Sequence, residues 1–208
     1  MVSARGKGGR SGLLPMMDTP AELEEQTRQM QAAAPYCGLG FKKATLPREI
    51  HERLIDQLRM CSDRFRAEEP IPYLQNADLQ TIPALFFEDR EFNAAISRDL
   101  QPLHEAWSGK QLTESACYGI RVYQRGTFLY NHVDRTETHI VSSTICVDHR
   151  LTRPWPIYIE DIKGEPHQVD LDPGEMLFYE GARLRHGRAY PLNGDYYASI
   201  FVHYRPAG

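Results

Sequence analysis

Two histidines and one aspartate offer the chemistry in this sequence. Tyr130-Asn131-His132-Val133-Asp134-Arg135 holds a His-x-Asp in a segment of extended character. A strand places residues i and i+2 on one face, roughly 6.5–7 Å apart along the chain. The His132 imidazole and the Asp134 carboxylate can therefore converge on one point. A second histidine, in Leu184-Arg185-His186-Gly187-Arg188, arrives after a strongly β-like region. Two imidazoles and one carboxylate are the ligand set of a facial-triad iron site, which keeps coordination positions open. A His-x-Asp alone carries little weight in a chain with eight histidines, because a surface ion pair at a strand end explains it equally well. Three features add to it: the pair opens a β-rich half; His186 follows an Asp172-Pro173-Gly174-Glu175 turn and the apolar run 176–179; and Gly187 removes a side chain where a cosubstrate would need room.

The elements that must position these residues fall into two halves. Asp18-Thr19-Pro20 reads as a helix start, with a helix to about 34 and then a short strand at 40–43. Pro47 opens a second helix in which Ile50, Leu54, Leu58 and Cys61 recur at helical spacing. The segment 70–87 is irregular and apolar-rich, which suits a loop on the core or a lid over the site. A third helix is expected over 89–108, bent or divided by Pro102. From 111 onward the runs 114–124, 128–133, 138–148, 156–160, 168–171, 175–179, 184–187 and 196–204 are rich in Val, Ile, Tyr and Thr. Lys163-Gly164 and Asp172-Pro173-Gly174 mark turns, and Asn193-Gly194 is a hairpin signal. Eight strands after a helical half predict an α+β fold: a double-stranded β-helix (jelly roll, cupin-like) with N-terminal helices packed on one face. We expect a disordered basic N-terminus over 1–17 and one domain over 18–208, helical over 18–110 with the jelly-roll core at 111–208.

Composition bounds the class. At 208 residues, 41% hydrophobic and 25% charged, the chain can bury the core of one ordinary domain. A net charge of −4 points to neither a nucleic acid nor a membrane surface as partner, and no apolar run reaches the roughly 18 residues of a membrane span. The four cysteines show no paired spacing, so free thiols in a reducing, cytoplasmic setting are expected. The N-terminal Arg and Ser residues, without an acid until Asp18, also allow an organelle transit peptide. Nothing in the sequence sets the oligomeric state.

With these residues in view, the sequence resembles the Fe(II)- and 2-oxoglutarate-dependent oxygenases, most closely their prolyl 4-hydroxylase-like branch. The resemblance spans about 117–204 and rests on Arg121-Val122-Tyr123-Gln124-Arg125-Gly126, His132-Val133-Asp134, Leu171-Asp172-Pro173-Gly174-Glu175-Met176-Leu177-Phe178 and His186-Gly187. It implies that His132, Asp134 and His186 hold Fe(II), and that 2-oxoglutarate chelates the metal and is decarboxylated to succinate and CO2 as an unactivated C–H bond is hydroxylated. It also allows ascorbate as an auxiliary cofactor, and a peptidyl proline or another small-molecule substrate. Asp134 argues against a halogenase, in which the family replaces this carboxylate.

The sequence departs from the family pattern at the far end of 2-oxoglutarate. The Lys or Arg expected about ten residues after the last histidine is missing, because Asp195, Tyr196 and Tyr197 stand there. A buried carboxylate needs a partner. Arg188, on the same face of an extended segment as His186, is the candidate cation, with Tyr123 and Ser199 as hydroxyl partners and Arg121 and Arg125 as further choices. His139 and Thr144 are candidates to face substrate or cosubstrate, and Trp155, between Pro154 and Pro156, to line a substrate entrance. Two other readings stay open: a cupin-like metal-dependent oxygenase that does not use 2-oxoglutarate, and a non-catalytic jelly-roll binding module.

Overall fold

The C-terminal half folds because its strands alternate between two faces, each of which finds a separate cover. The computed structural model describes residues 35–207 apart from 37, 79 and 80, together with Ala21, Glu24, Glu25, Arg28 and Gln29. The basic segment 1–17 lies outside the described residues, as does most of the first expected helix. In order come β1 (Phe41–Thr45), α1 (Arg48–Met60), β2 (Arg66–Ala67), β3 (Leu74–Asn76), β4 (Ala84–Phe87), α2 (Arg90–Ser108), β5 (Leu112–Gln124), β6 (Thr127–His132), β7 (Val141–Leu151), β8 (Ile157–Glu160), β9 (Pro166–Val169), β10 (Glu175–Tyr179), β11 (His186–Arg188) and β12 (Gly194–Pro206).

Strands β5 to β12 form a jelly roll, with β10-β7-β12-β5 antiparallel in one sheet and β6-β11-β8-β9 in the other. The N-terminal strands extend it: β1 joins β10, β4 joins β5, β2 joins β4, and β3 joins β6. The segment 70–87, read from the sequence as loop or lid, thus supplies β3 and β4. Its backbone groups pair with β6 and β5, which satisfies them without water. Asn193-Gly194 also differs from expectation. It links β11 to β12, which lie in different sheets, so it crosses between sheets and makes no hairpin.

The period of two decides the layers. On one face of β12, Ala198, Ile200, Val202 and Tyr204 join Ile145 and Met176 of their sheet and Ile50, Leu54, Ile96 and Leu100 of the two helices in one core. On the other face Tyr197 packs with Leu177, Tyr179, Ile159 and Leu184 between the sheets. Leu54 and Leu100 are fully buried, and truncating either to Ala should cost about 2–5 kcal/mol. Helix α2 starts where the Asp89 carboxylate accepts the Phe92 N–H at 3.1 Å, and ends at Gly109, whose φ of 66° lies in the left-handed region. It runs through Pro102 undivided, contrary to one expected outcome. The ring sits on the exposed side, where the carbonyl it leaves unpaired can be hydrated.

One core group makes stability depend on pH. His104, on α2, donates from Nδ1 to the Leu100 carbonyl at 2.8 Å and meets Ser143 Oγ through Nε2 at 2.9 Å. Burial lowers its pKa from 6.5 to about 4. The unfolded chain therefore takes up this proton at a higher pH than the folded one, so folding loses stability as pH falls from about 6.5 to about 4, by roughly 3 kcal/mol in all. In urea titrations at stepped pH, His104→Leu should flatten this acid slope by that amount relative to the unsubstituted chain. An unchanged slope would remove His104 from the account.

Candidate metal centre

The register of β6 against β11 places His132 opposite His186. Their ring centroids lie 4.7 Å apart. Each Nδ1 bonds the carbonyl two residues upstream, Tyr130 O at 2.9 Å for His132 and Leu184 O at 2.8 Å for His186. A carbonyl only accepts, so both rings carry a proton on Nδ1 and keep a bare Nε2. Asp134 follows β6, its N–H donating to Gly181 O at 2.9 Å. Its Oδ1 lies 3.8 Å from the Nε2 of each histidine. One donor atom from each of the three residues falls within 4.8 Å of the others. Donors about 2.0–2.2 Å from one ion sit about 3 Å apart in adjacent positions, so the site closes on a metal by contraction of the order of 1 Å.

The surroundings fit a cation. Among the described residues Asp134 Oδ2 is buried with no close hydrogen-bond partner, an expensive arrangement for a carboxylate unless a metal or ligand completes it. Burial pushes the Asp134 carboxyl up, but the imidazoles of His186, His203 and His132 outweigh that and hold its pKa below the usual value. Burial and the neighbouring His186 lower the His132 pKa to about 4, so the ring stays neutral and able to ligate. Tyr73 stacks on His132 at 3.9 Å between ring centroids, and Tyr179 meets His186 edge-on at 4.7 Å. The room Gly187 makes is toward β6, and not the cosubstrate space expected from the sequence: a Cβ there would lie 2.5 Å from Asn131 Oδ1 and 2.9 Å from the Leu129 and Tyr130 carbonyls. Its bareness lets β11 approach β6.

The triad lines a cavity of about 420 Å³ between the sheets. Tyr123, Arg188, His139 and Thr144 line it too. Arg188 is buried, donates from Nη1 to the Trp155 carbonyl, and lies over the Trp155 and Tyr197 rings at 4.2 and 4.3 Å. Tyr123 accepts from Arg121 Nη1 at 3.5 Å. Ser199 sits behind Thr144: its hydroxyl donates to the Ile145 carbonyl at 2.8 Å, so Thr144 must donate to Ser199, at 3.1 Å. Trp155 is not at an entrance. It is buried, with Nε1 donating to Tyr190 O at 2.7 Å, and forms the bed beneath Arg188. Arg125 pairs with Asp195 on the surface, and Arg121 is held by both Glu68 oxygens at 2.6 and 2.5 Å.

Sequence reasoning missed Tyr73, Glu68, Tyr118 and His203, all of which line the cavity. Tyr73 comes from the irregular segment 70–87, where no periodicity reports a facing direction, and Glu68 lies just before it. His203 was readable only through the alternation of β12, which puts it on the same face as Tyr197, Ser199 and Phe201.

No protein-family model matches the sequence, and no curated protein matches it. Solved structures do match the fold. A Pseudomonas putida prolyl-4-hydroxylase aligns at TM-score 0.56 and 15% identity over 89% of this chain and 100% of its own. A Trichoplax adhaerens prolyl hydroxylase in complex with a hypoxia-inducible-factor peptide aligns at 0.59 and 11%, over 91% and 94%. HygX from Streptomyces hygroscopicus, with nickel, 2-oxoglutarate and hygromycin B bound, aligns at 0.57 and 12%, over 88% and 87%. The chain thus has the fold of the Fe(II)/2-oxoglutarate oxygenases, the family whose motifs its sequence resembles.

Gly181 holds the carboxylate in place. A Cβ there would collide with Asp134 Oδ2 and approach Ser142 Oγ at 2.7 Å and the His139 carbonyl at 2.8 Å. Gly181→Ala should therefore weaken Mn(II) binding about 10- to 100-fold, as loss of outer support at metal sites does. Calorimetric titration would check this, with circular dichroism to verify the fold. Unchanged affinity would mean that the Asp134 carboxylate is not held where it must ligate.

Proposed function

We propose that the protein is an Fe(II)- and 2-oxoglutarate-dependent dioxygenase. It hydroxylates an unactivated C–H bond, in a prolyl residue or a small amino-acid-like metabolite, with release of succinate and CO2. The observation that carries this reading is the convergence of His132, Asp134 and His186 in a cavity that also holds Arg188. His132 and His186 would hold Fe(II) through Nε2 and Asp134 through a carboxylate oxygen. The bound iron with 2-oxoglutarate supplies the oxidising chemistry; the chain supplies geometry and a dry pocket.

Each residue then has a stated task. The Tyr130 and Leu184 carbonyls fix the tautomer and direction of the two imidazoles. Tyr73 and Tyr179 shield them from water. Arg188 takes the free carboxylate of 2-oxoglutarate, with Tyr123 on the same cavity wall; Ser199, behind Thr144, orients that hydroxyl. Where the family pattern expects a cation on the last strand, Tyr197 instead offers its ring to Arg188 of β11. No carboxylate of the described residues lies within ion-pair distance of Arg188, in contrast to Arg121, which Glu68 neutralises. A buried guanidinium left in that state is ready for an anionic ligand. This weakens the reading of an oxygenase without 2-oxoglutarate. Free thiols at Cys61, Cys117 and Cys146 suit a reducing compartment such as the cytoplasm.

Two substitutions test the reading. Asp134→Ala should reduce succinate formation from 2-oxoglutarate and Fe(II) to background, since it removes one of three ligands; substantial residual turnover would sink the triad. Arg188→Ala should raise the apparent KM for 2-oxoglutarate by about 10- to 100-fold, the range for a lost hydrogen bond to a charged group. An unchanged KM would move the anchor elsewhere in the cavity.

A further inference from the structure

The proposed reaction leaves one polar wall of the cavity without a task. His203 on β12 and His139, just before β7, are buried, line the cavity and lie with ring centroids 3.8 Å apart. Tyr118 of β5 completes the group, its hydroxyl 3.1 Å from His139 Nε2 and its ring edge-on to His203 at 5.6 Å. Tyr118 is 39% exposed, so the wall reaches from the metal site to solvent.

Counting protons shows what this wall presents. Ser142 has one hydroxyl proton and donates it to the His139 carbonyl at 3.3 Å. With its proton on that carbonyl, the Ser142 oxygen accepts from His203 Nδ1, at 2.8 Å. His203 therefore keeps a bare Nε2, which has no partner among the described residues and serves the cavity as a hydrogen-bond acceptor. His139 contacts Thr138 Oγ1 through Nδ1 at 2.5 Å and Tyr118 through Nε2. Whichever ring nitrogen carries its proton, Tyr118 is left with the complementary capacity, as donor or as acceptor.

The wall is also uncharged. Burial lowers the pKa of both imidazoles below 6.5, that of His203 to about 3, so neither is charged at neutral pH. The ion pair on the same side, Arg121 with Glu68, is closed on itself in a bidentate bond. Arg135 stands at the exposed rim, and Tyr73, Phe86 and Phe201 supply aromatic surface.

Resting on the reading of the triad above, we propose that Tyr118, His139 and His203 are the substrate-recognition wall, and that it selects an uncharged group bearing an N–H or O–H donor. A carboxamide or a sugar hydroxyl donates to His203 Nε2 while Tyr118 completes the pairing. At His203 Nε2 a carboxylate meets a lone pair, and among the described cavity residues an ammonium group finds no carboxylate beyond Asp134, assigned to the metal, and Glu68, held by Arg121. Both are disfavoured.

Saturation-transfer NMR on the full chain, loaded with Zn(II) and 2-oxoglutarate so that no turnover occurs, tests this. The probes are N-acetyl-L-prolinamide, its N,N-dimethylamide, N-acetyl-L-proline, L-prolinamide and methyl β-D-glucoside. An uncharged donor, the primary amide or the glucoside, should bind about three- to tenfold more tightly than the dimethylamide, the anion or the cation, the range for one hydrogen bond. Which of the two binds tells an amide substrate from a carbohydrate one. His203→Phe should abolish the preference, whereas His203→Gln, which keeps an acceptor, should retain part of it and guards against a misfolded Phe variant. Tighter binding of a charged probe, no binding of either uncharged donor, or an unchanged preference in His203→Phe would overturn the proposal. Zn(II) uptake, measured by equilibrium dialysis on the same samples, separates the two readings: full uptake without the preference overturns the wall alone, and absent uptake overturns the triad as well.

Discussion

The site depends on one register: His132 of β6 opposite His186 of β11. Because side chains alternate with a period of two, a slip of one residue would turn one imidazole to the other face of the sheet and dissolve the centre. Two local features protect the register. Each histidine is tied to the carbonyl two residues before it, and Gly187 lets the two backbones approach where any side chain would meet Asn131 and the carbonyls of β6. The Asp134 carboxylate is then delivered from outside the sheet, through its backbone bond to Gly181. Three side chains from two distant parts of the chain are thus held by backbone geometry and not by one another.

That arrangement works against stability. Two imidazoles and a carboxylate are withdrawn from water, and among the described residues one carboxylate oxygen has no close partner and Arg188 is buried with no opposing charge. Each is a group whose desolvation is offset only when something binds. The chain compensates on the far face of the same sheet. There Ala198, Ile200, Val202 and Tyr204 of β12 pack against α1 and α2 in a continuous apolar core. One strand thus serves both purposes, with its even positions building the core and its odd positions lining or backing the cavity.

The relocation of the cation follows the same logic. The family pattern places a basic residue on the last strand, but here that strand contributes the aromatic Tyr197, and the guanidinium comes from β11. Trp155 and Tyr197 hold Arg188 by its faces, which leaves its edge, apart from the bond to the Trp155 carbonyl, available to an anion. Under the proposed function the charge is kept while the strand that carries it changes, because a carboxylate needs a cation at a position in space, whichever strand supplies it.

How much of this was legible beforehand depends on the range of the interaction involved. The sequence by itself determined the elements with strong local signals: the β-rich half, the turns at Gly164 and Gly174, and the starts of α1 and α2; it picked out His132, Asp134 and His186 as the candidate ligands that the fold brings together. It also singled out Arg188, because i and i+2 on a strand must share a face. Only the tertiary structure decided that β3 and β4 arise from an irregular segment, that Asn193-Gly194 crosses between sheets, that Trp155 lies under a guanidinium, and that Tyr73 and His203 reach the cavity. Those outcomes depend on pairing between strands far apart in the chain, and periodicity carries no information about which distant strand a given face will meet.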